Sequence, residues 1–123
     1  MSCLIEKGNK IILECSVGVL EDFYYEFQNL IFKNELKTNL EFDNFMNKLN
    51  ESMFTHGGAT IDIESLFTSP DNLLLLIELT QKTITIIESS LKDYAVIAVH
   101  DFYDELVKYH EELILKNKQV SHL

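Results

Sequence analysis

Residues 71–91 read DNLLLLIELTQKTITIIESSL, a stretch whose apolar side chains surround almost the whole circumference of a helix. They form two faces: Leu73, Leu76, Ile77, Ile84 and Ile87 on one, and Leu75, Leu79 and Ile86 on another. A helix that is apolar on every side is stable only when other elements surround it. We therefore predict that this segment is the central helix of a small bundle. The β-branched run within residues 82–88 leaves a buried strand as the alternative there.

Local signals place the other helices. Ser69, Pro70 and Asp71 have the pattern of an N-cap, a first-position proline and a first-turn acid, so the central helix begins here. Apolar residues three and four positions apart predict further helices from Val19 to about Lys37, from Leu40 to Ser52 and from Tyr94 to Lys116; the tail from residue 117 is expected to fray. The predicted inward residues of these three helices are Leu20, Phe23, Tyr24, Phe27, Leu30, Ile31, Phe42, Phe45, Met46, Leu49, Val99, Phe102, Leu106 and Leu113.

The N-terminal residues 3–15 read CLIEKGNKIILEC, two apolar runs joined by Gly-Asn. This pattern predicts a short β-hairpin, with an irregular first helix as the alternative. Gly57 and Gly58 are expected to end the second helix and to shape a loop, and residues 59–64 fit either a short strand or a helical turn. Pro70 is the only proline and no linker is evident. We predict a mainly α fold in a single domain, residues 1–123.

Charge limits the class of partner. The chain has twenty acidic residues, ten lysines and no arginine, so its formal net charge is −10. Nucleic acids and anionic membranes require a basic footprint, so neither is an expected partner. An acidic surface favours a basic protein partner, because opposite charges accelerate encounter. The alternative is that the acids serve only solubility.

Catalytic and metal-binding patterns are not found in the sequence. None of His56, His100, His110 and His122 follows a Glu by three positions, the spacing used in di-metal helical bundles. Cys3 and Cys15 lie in apolar runs and are predicted to be buried free thiols, a disulfide across the hairpin being the alternative in an exported protein. There is no nucleophile elbow and no phosphate-binding glycine loop. We predict a protein that is not an enzyme and uses no cofactor or metal.

Two segments repeat the pattern Asp-Phe-Tyr-x-Glu, at residues 22–26 and 101–105. Their acids lie off the apolar stripes, one helical turn apart, where like charges repel by about 0.2–0.5 kcal/mol. Aromatic residues beside such acids are typical of protein interfaces. The predicted partner-binding residues are Glu21, Asp22, Tyr25, Glu26, Asn29, Phe32, Asp101, Asp104 and Glu105. The competing interpretation is a solvated helix face, with Tyr25 and Phe32 packed beneath the N-terminal segment.

In its size, its acidity, its helical pattern and a composition rich in Ile, Asn, Lys, Phe and Tyr, the chain resembles bacterial immunity proteins, in particular those of contact-dependent growth inhibition systems. The resemblance covers the whole chain but no motif, so no residue roles follow from it. It implies a one-to-one complex with a cognate toxin domain, usually a basic nuclease, whose phosphate-binding cleft the acids would cover. The alternative is a helical adaptor, or a viral antagonist of a host factor, that binds a partner helix in a hydrophobic groove.

The expected compartment follows from the N-terminal residues. The first ten residues lack the basic start and apolar run of a signal peptide. The longest apolar run, NLLLLIEL, is too short to span a bilayer. We therefore expect a cytoplasmic protein.

Overall fold

The computed structural model describes residues 2–54 and 60–121. Within them lie the strands β1 (Ser2–Lys7), β2 (Lys10–Ser16) and β3 (Thr60–Asp62), and the helices α1 (Val17–Lys33), α2 (Leu40–Phe54), α3 (Ile63–Leu66), α4 (Pro70–Ile87) and α5 (Asp93–Ser121), with a 3-10 turn at Glu88–Ser90. The predicted mainly α fold is confirmed, and so is the N-terminal hairpin. The predicted roles of Gly57 and Gly58 fall outside the described residues.

Helix α4 packs in the core as its sequence predicts, but not on every side, because Ile86 of its second apolar face is 50% exposed. It packs against α1, α2 and α5, and Leu73 and Leu76 are fully buried. The Ser69 side chain accepts a hydrogen bond from the Asn72 N–H at 3.4 Å, and Pro70 follows at the first helical position. The β-branched run remains helical because a helix presents apolar side chains to neighbours on several sides while pairing its own backbone. Across the two described stretches, no helix has the length and apolar character needed to cross a membrane.

The N-terminal hairpin belongs to a three-stranded sheet with the order β2-β1-β3, in which β1 is antiparallel to β2 and parallel to β3. Gly8 turns the hairpin with a φ of 61°, a conformation that glycine adopts without strain. Ile5 pairs with Leu13 but Glu6 pairs with Ile11, so Ile12 is the extra residue of a β-bulge. The bulge explains why two successive β2 residues, Ile12 and Leu13, are both buried.

One hydrophobic cluster joins the sheet to the helices. Ile5 and Leu13 of the sheet face Phe23 of α1 and Phe102 of α5, whose rings meet edge to face at 6.4 Å between centroids. Residues 59–64, for which the sequence left strand and helical turn open, form both from residue 60 onwards. The short strand β3 continues directly into α3, and the Asp62 side chain caps α3 by accepting a hydrogen bond from the Glu64 N–H at 3.1 Å.

Helix boundaries differ from the prediction at several ends. Helix α1 begins two residues early, because the Ser16 side chain caps it by accepting the Val19 N–H at 3.3 Å. It ends at Lys33, and the left-handed Glu35 (φ 50°) then turns the chain. The predicted fraying from residue 117 is wrong as far as Ser121, to which α5 extends. Lys118 lies in the last turn of α5, where a positive charge interacts favourably with the helix dipole.

Candidate protein-binding surfaces

Helix α1 carries six of the nine predicted partner-binding residues. Its buried stripe, Leu20, Phe23, Phe27 and Leu30, faces the core. The remaining circumference bears what we call the α1 outer face: Glu21, Asp22, Tyr25, Glu26, Asn29 and Phe32. All six are exposed to solvent except Glu26, which is half-buried. Among the ion pairs of the described residues, none involves Glu21, Asp22 or Glu26. Within the part of the chain that the structure describes, the acids of this face therefore have no ion-pair partner.

The two aromatic residues of the α1 outer face lie in solvent. Phe32 is 87% exposed and Tyr25 is 56% exposed. The alternative in which both pack beneath the N-terminal segment is therefore wrong: that segment forms the hairpin, whose inward face is occupied by core residues such as Ile5 and Leu13. A phenyl ring this exposed gains nothing from folding, because its apolar surface remains in water.

Tyr25 is held by its neighbours. Its ring meets Tyr24 edge to face, with 5.4 Å between the ring centroids. The Tyr24 hydroxyl accepts a hydrogen bond from the Gln28 side-chain amide at 3.2 Å. Tyr24 is itself half-buried and packs on the core. Because these contacts restrict the Tyr25 side chain, less conformational entropy would be lost when a partner covers it.

An open groove of about 410 Å³ runs between α1 and the α2 region. We call it the α1–α2 groove; its lining residues are Tyr24, Gln28, Ile31, Phe32, Thr38, Phe42, Asp43, Met46 and Asn47. Phe32 belongs to both this groove and the α1 outer face. The sequence assigned Tyr24 and Met46 to the core, but both are half-exposed. The signal that could have revealed Tyr24 is its neighbour Phe23, which is buried: consecutive helical residues lie about 100° apart and cannot share one narrow buried stripe.

The three predicted residues of α5 line a different groove, of about 400 Å³, between α5 and β2. Asp101, Asp104 and Glu105 form its helical side together with Ala98 and Lys108, and residues 10–14 form its strand side. We call this the β2–α5 groove. It has no lining residue from α1, and the α1–α2 groove has none from α5. The nine predicted residues thus occupy two separate surfaces.

Glu105 differs from the other two α5 acids because it is paired. Its carboxylate accepts a hydrogen bond from the Lys10 ammonium at 2.8 Å, and Lys108 lies 3.6 Å away. The Lys10 hydrogen bond is the main reason why the pKa of Glu105 lies below its usual range. Asp101 and Asp104 take part in no ion pair within the described stretches. The repulsion inferred from sequence for Asp101 and Glu105 is therefore offset at Glu105.

A second ion pair also joins the hairpin to α5. The Lys7 ammonium donates to the Glu112 carboxylate at 2.6 Å and lies 5.5 Å from the centre of the Tyr109 ring. Tyr109 in turn donates its hydroxyl hydrogen to the Phe67 carbonyl at 2.6 Å. Burial is the chief cause that raises the pKa of Tyr109 to about 12. The Lys7 contacts join the hairpin to α5, and the Tyr109 hydroxyl joins α5 to the segment before α4.

The cysteines are poor nucleophiles in this environment. Cys3 and Cys15 are free thiols that lie directly opposite each other on β1 and β2. Burial raises the pKa of both thiols, to about 12 for Cys15. Nucleophilic and metal-binding chemistry requires the thiolate, which is scarce at neutral pH when the pKa is this high. No cluster of three or more His, Cys, Asp or Glu side chains suited to a metal ion occurs in residues 2–54 and 60–121.

Comparison with protein families, with curated proteins and with solved structures found no match for this chain.

Proposed function

We propose that the protein is an immunity protein, which binds a cognate basic toxin domain one to one and covers its active-site cleft with the α1 outer face. The observation that carries this proposal is the exposure of Tyr25 and Phe32 on one side of α1, with two acids that have no ion pair among the described residues, Glu21 and Asp22, one turn before Tyr25. Exposed aromatic anchors surrounded by charge match the anatomy of a protein interface better than that of a solvated helix.

The two kinds of residue have different roles in the proposed complex. Burial of an aromatic anchor at an interface typically contributes about 2 kcal/mol or more, most of it visible as slower dissociation. The acids accelerate association with a basic surface and contribute less to the final affinity. A nuclease cleft presents lysine and arginine side chains to the phosphate groups of its substrate. The carboxylates of Glu21 and Asp22 would bind these basic side chains in place of the phosphates. The net charge of −10 supports attraction over a longer range.

In this proposal the protein is a binding protein that performs no chemistry and carries no cofactor. It acts in the cytoplasm, where a toxin that cleaves nucleic acid reaches its substrate. Its affinity depends on the folded helix α1, since only the helix places Tyr25 and Phe32 on one side.

The test begins with recovery of the partner. The tagged wild-type chain is used to co-purify its partner from cells that carry the natural gene neighbourhood, and the partner is sequenced and assayed for nuclease activity. Two variants change the α1 outer face: the pair Glu21→Lys and Asp22→Lys, and the pair Tyr25→Ala and Phe32→Ala. Each should retain the wild-type melting temperature and lose most of its inhibition of the partner.

Matched controls make the same chemical changes elsewhere. Glu78→Lys introduces a lysine at an exposed position of α4, and Phe54→Ala removes a phenyl ring that is 73% exposed at the end of α2. Both should inhibit the partner like the wild type. If the α1 variants fold normally and still inhibit as well as these controls, the α1 outer face is not the binding surface. If the partner is neither basic nor a toxin, the immunity proposal itself fails.

The second candidate function, a helical adaptor, is favoured by the α1–α2 groove. Ile31, Phe32 and Met46 give that groove an apolar lining, of the kind that receives the apolar face of a partner helix. The variant Met46→Glu separates the two candidates. It should abolish binding to a groove-bound helix, whereas the reversal of Glu21 and Asp22 should abolish binding to a basic toxin.

A further inference from the structure

The strand side of the β2–α5 groove consists of five consecutive residues, 10–14. Lys10, Ile11 and Glu14 are exposed, whereas Ile12 and Leu13 are buried. A cavity that touches both groups follows the strand along its length. The sheet order β2-β1-β3 makes β2 an edge strand.

Within the described residues, the outward backbone groups of this edge lack hydrogen-bond partners. Pairing with β1 uses the inner edge of β2, and from the described part of the chain no other residue donates to or accepts from the backbone of residues 10–14. Unpaired N–H and C=O groups in a row are a template for one more strand. Ile11, which is 50% exposed, adds an apolar side chain to the same edge.

The helical wall of the groove determines which strand would fit. It supplies the small side chain of Ala98 and the carboxylates of Asp101 and Asp104, and β2 adds Glu14. The Lys10 and Lys108 ammonium groups both pair with Glu105, so the four acids and two lysines that line the groove leave it a net charge of −2. The groove is therefore a strand edge with an acidic wall.

We propose that the β2–α5 groove binds an extended, lysine- or arginine-bearing segment of the protein partner, which adds to β2 as an outer strand. Five residues of β2 span about 17 Å, enough to pair with a segment of similar length. Every second side chain of the added strand points towards one face, so basic residues at alternate positions meet Asp101 and Asp104. The proposal deepens the proposed function, on which it rests for the identity of the partner: the toxin would contact this groove as well as the α1 outer face.

A second copy of the chain is a poorer occupant of the groove. Each copy carries a net charge of −10, and pairing of two β2 edges would bring the two acidic groove walls together. Like charges juxtaposed at an interface oppose association. A basic segment meets no such repulsion.

A synthetic peptide tests the groove without the partner. The probe is about seven residues of alternating Lys and Val with blocked termini, a length that matches the strand. Its binding to the full chain is measured by NMR titration. The shifts should concentrate on the backbone amides of residues 10–14 and on residues around Asp101 and Asp104. A second peptide, N-methylated at alternate residues, keeps the charge but loses the donors that pair with β2, and should bind about tenfold more weakly or worse.

Variants of α5 provide the matched comparison. Asp101→Lys combined with Asp104→Lys should abolish binding of the unmethylated peptide. Glu111→Lys, which changes an exposed acid of the same helix outside the groove, should leave its affinity unchanged. Circular dichroism and the melting temperature of each variant establish that the fold is intact.

Four results would overturn the proposal: no peptide binding, equal affinity for the methylated and unmethylated peptides, shifts confined to the α1 outer face, or a concentration-dependent dimer whose contacts include the amides of residues 10–14. None of these decides whether the α1 outer face inhibits the toxin, because the peptide experiment contains no toxin; that question is decided by the α1 variants. Conversely, if the α1 variants disprove the immunity proposal, a positive peptide result still supports the binding of a basic strand to the β2–α5 groove.

Discussion

Replacement of Glu41 by Ala should destabilise the protein by about 2–3 kcal/mol. Glu41 lies in the first turn of α2, and its carboxylate accepts four hydrogen bonds from the segment that leads into α4. One oxygen accepts the Thr68 N–H at 2.9 Å and the Thr68 hydroxyl at 2.7 Å; the other accepts the Ser69 N–H at 3.2 Å and the Asn72 side-chain amide at 2.9 Å. This carboxylate therefore positions the N-terminus of the central helix.

The size of the predicted loss of stability depends on which of the four donors can form hydrogen bonds with water instead. The two Thr68 donors are exposed and regain hydrogen bonds with solvent when the carboxylate is removed. The Ser69 N–H and the Asn72 amide are partly buried, and each hydrogen bond to a charged acceptor is worth about 1.5 kcal/mol at the lower end. Two such bonds give the predicted loss. Glu41→Gln should lose less, since one side-chain oxygen remains as an acceptor.

The effect should also depend on pH. Partial burial of Glu41 raises its pKa, but the hydrogen bonds from Thr68, Asn72 and Ser69 outweigh burial and leave the pKa below its usual range. A carboxyl group whose pKa is lowered by folding stabilises the protein above its unfolded-state pKa of about 4.3. That stabilisation is lost as the pH falls through the folded-state value. The difference in unfolding free energy between wild type and Glu41→Gln should therefore shrink below about pH 4.

Urea unfolding followed by far-UV circular dichroism, at a series of pH values, measures these differences. Asp43→Ala and Asp43→Asn are the matched controls, because Asp43 is an exposed acid in the same first turn of α2 and makes no side-chain hydrogen bond or ion pair among the described residues. They should cost less than about 0.5 kcal/mol. Equal stability of the Glu41 and Asp43 variants, or a Glu41→Gln difference that persists unchanged in acid, would refute the account of this carboxylate.

Three further predictions concern the core. Leu76→Ala should lower the free energy of unfolding by about 2–5 kcal/mol, because Leu76 is fully buried in α4. Leu74→Ala, at a position that is 39% exposed, should lower it by less than half as much. Similar losses for the two variants in urea unfolding would contradict the central position of α4. Thr83→Val should raise the unfolding free energy by about 1 kcal/mol, because the buried Thr83 hydroxyl has no hydrogen-bond partner in the described part of the chain; a clear loss of stability would show that this hydroxyl is satisfied. The Cys15 thiol, whose pKa is raised to about 12, should react with a thiol reagent at neutral pH far more slowly in the folded protein than in denaturant; equal rates would contradict its buried environment.

Features encoded by neighbouring residues were predictable from the sequence. The central position of α4 follows from apolar residues on every side of one segment, and its start follows from the consecutive Ser69 and Pro70. The hairpin follows from two apolar runs around Gly8. In each case the physical cause lies within a few residues, so a single sequence contains it.

Features that depend on distant residues were not predictable. Glu105 looks like any other acid of its helix, yet Lys10, 95 residues away, pairs with it. Glu41 is bound by donors that lie 27 to 31 residues further along. Periodicity placed Phe32 off the core stripe, but only the folded chain determines whether another segment covers it. The extra residue of the β2 bulge, Ile12, likewise depends on pairing with β1.

The kinetics of the complex with the recovered partner, measured at low and at physiological salt, determine whether the α1 outer face binds the partner. We predict that Phe32→Ala leaves the association rate nearly unchanged and raises the dissociation rate by about 30-fold, equivalent to about 2 kcal/mol. Reversal of Glu21 and Asp22 should instead slow association, and the salt dependence of association should weaken because screening has less charge to act on. Normal folding with wild-type rates and wild-type salt dependence in both variants would contradict the claim that the α1 outer face binds the partner.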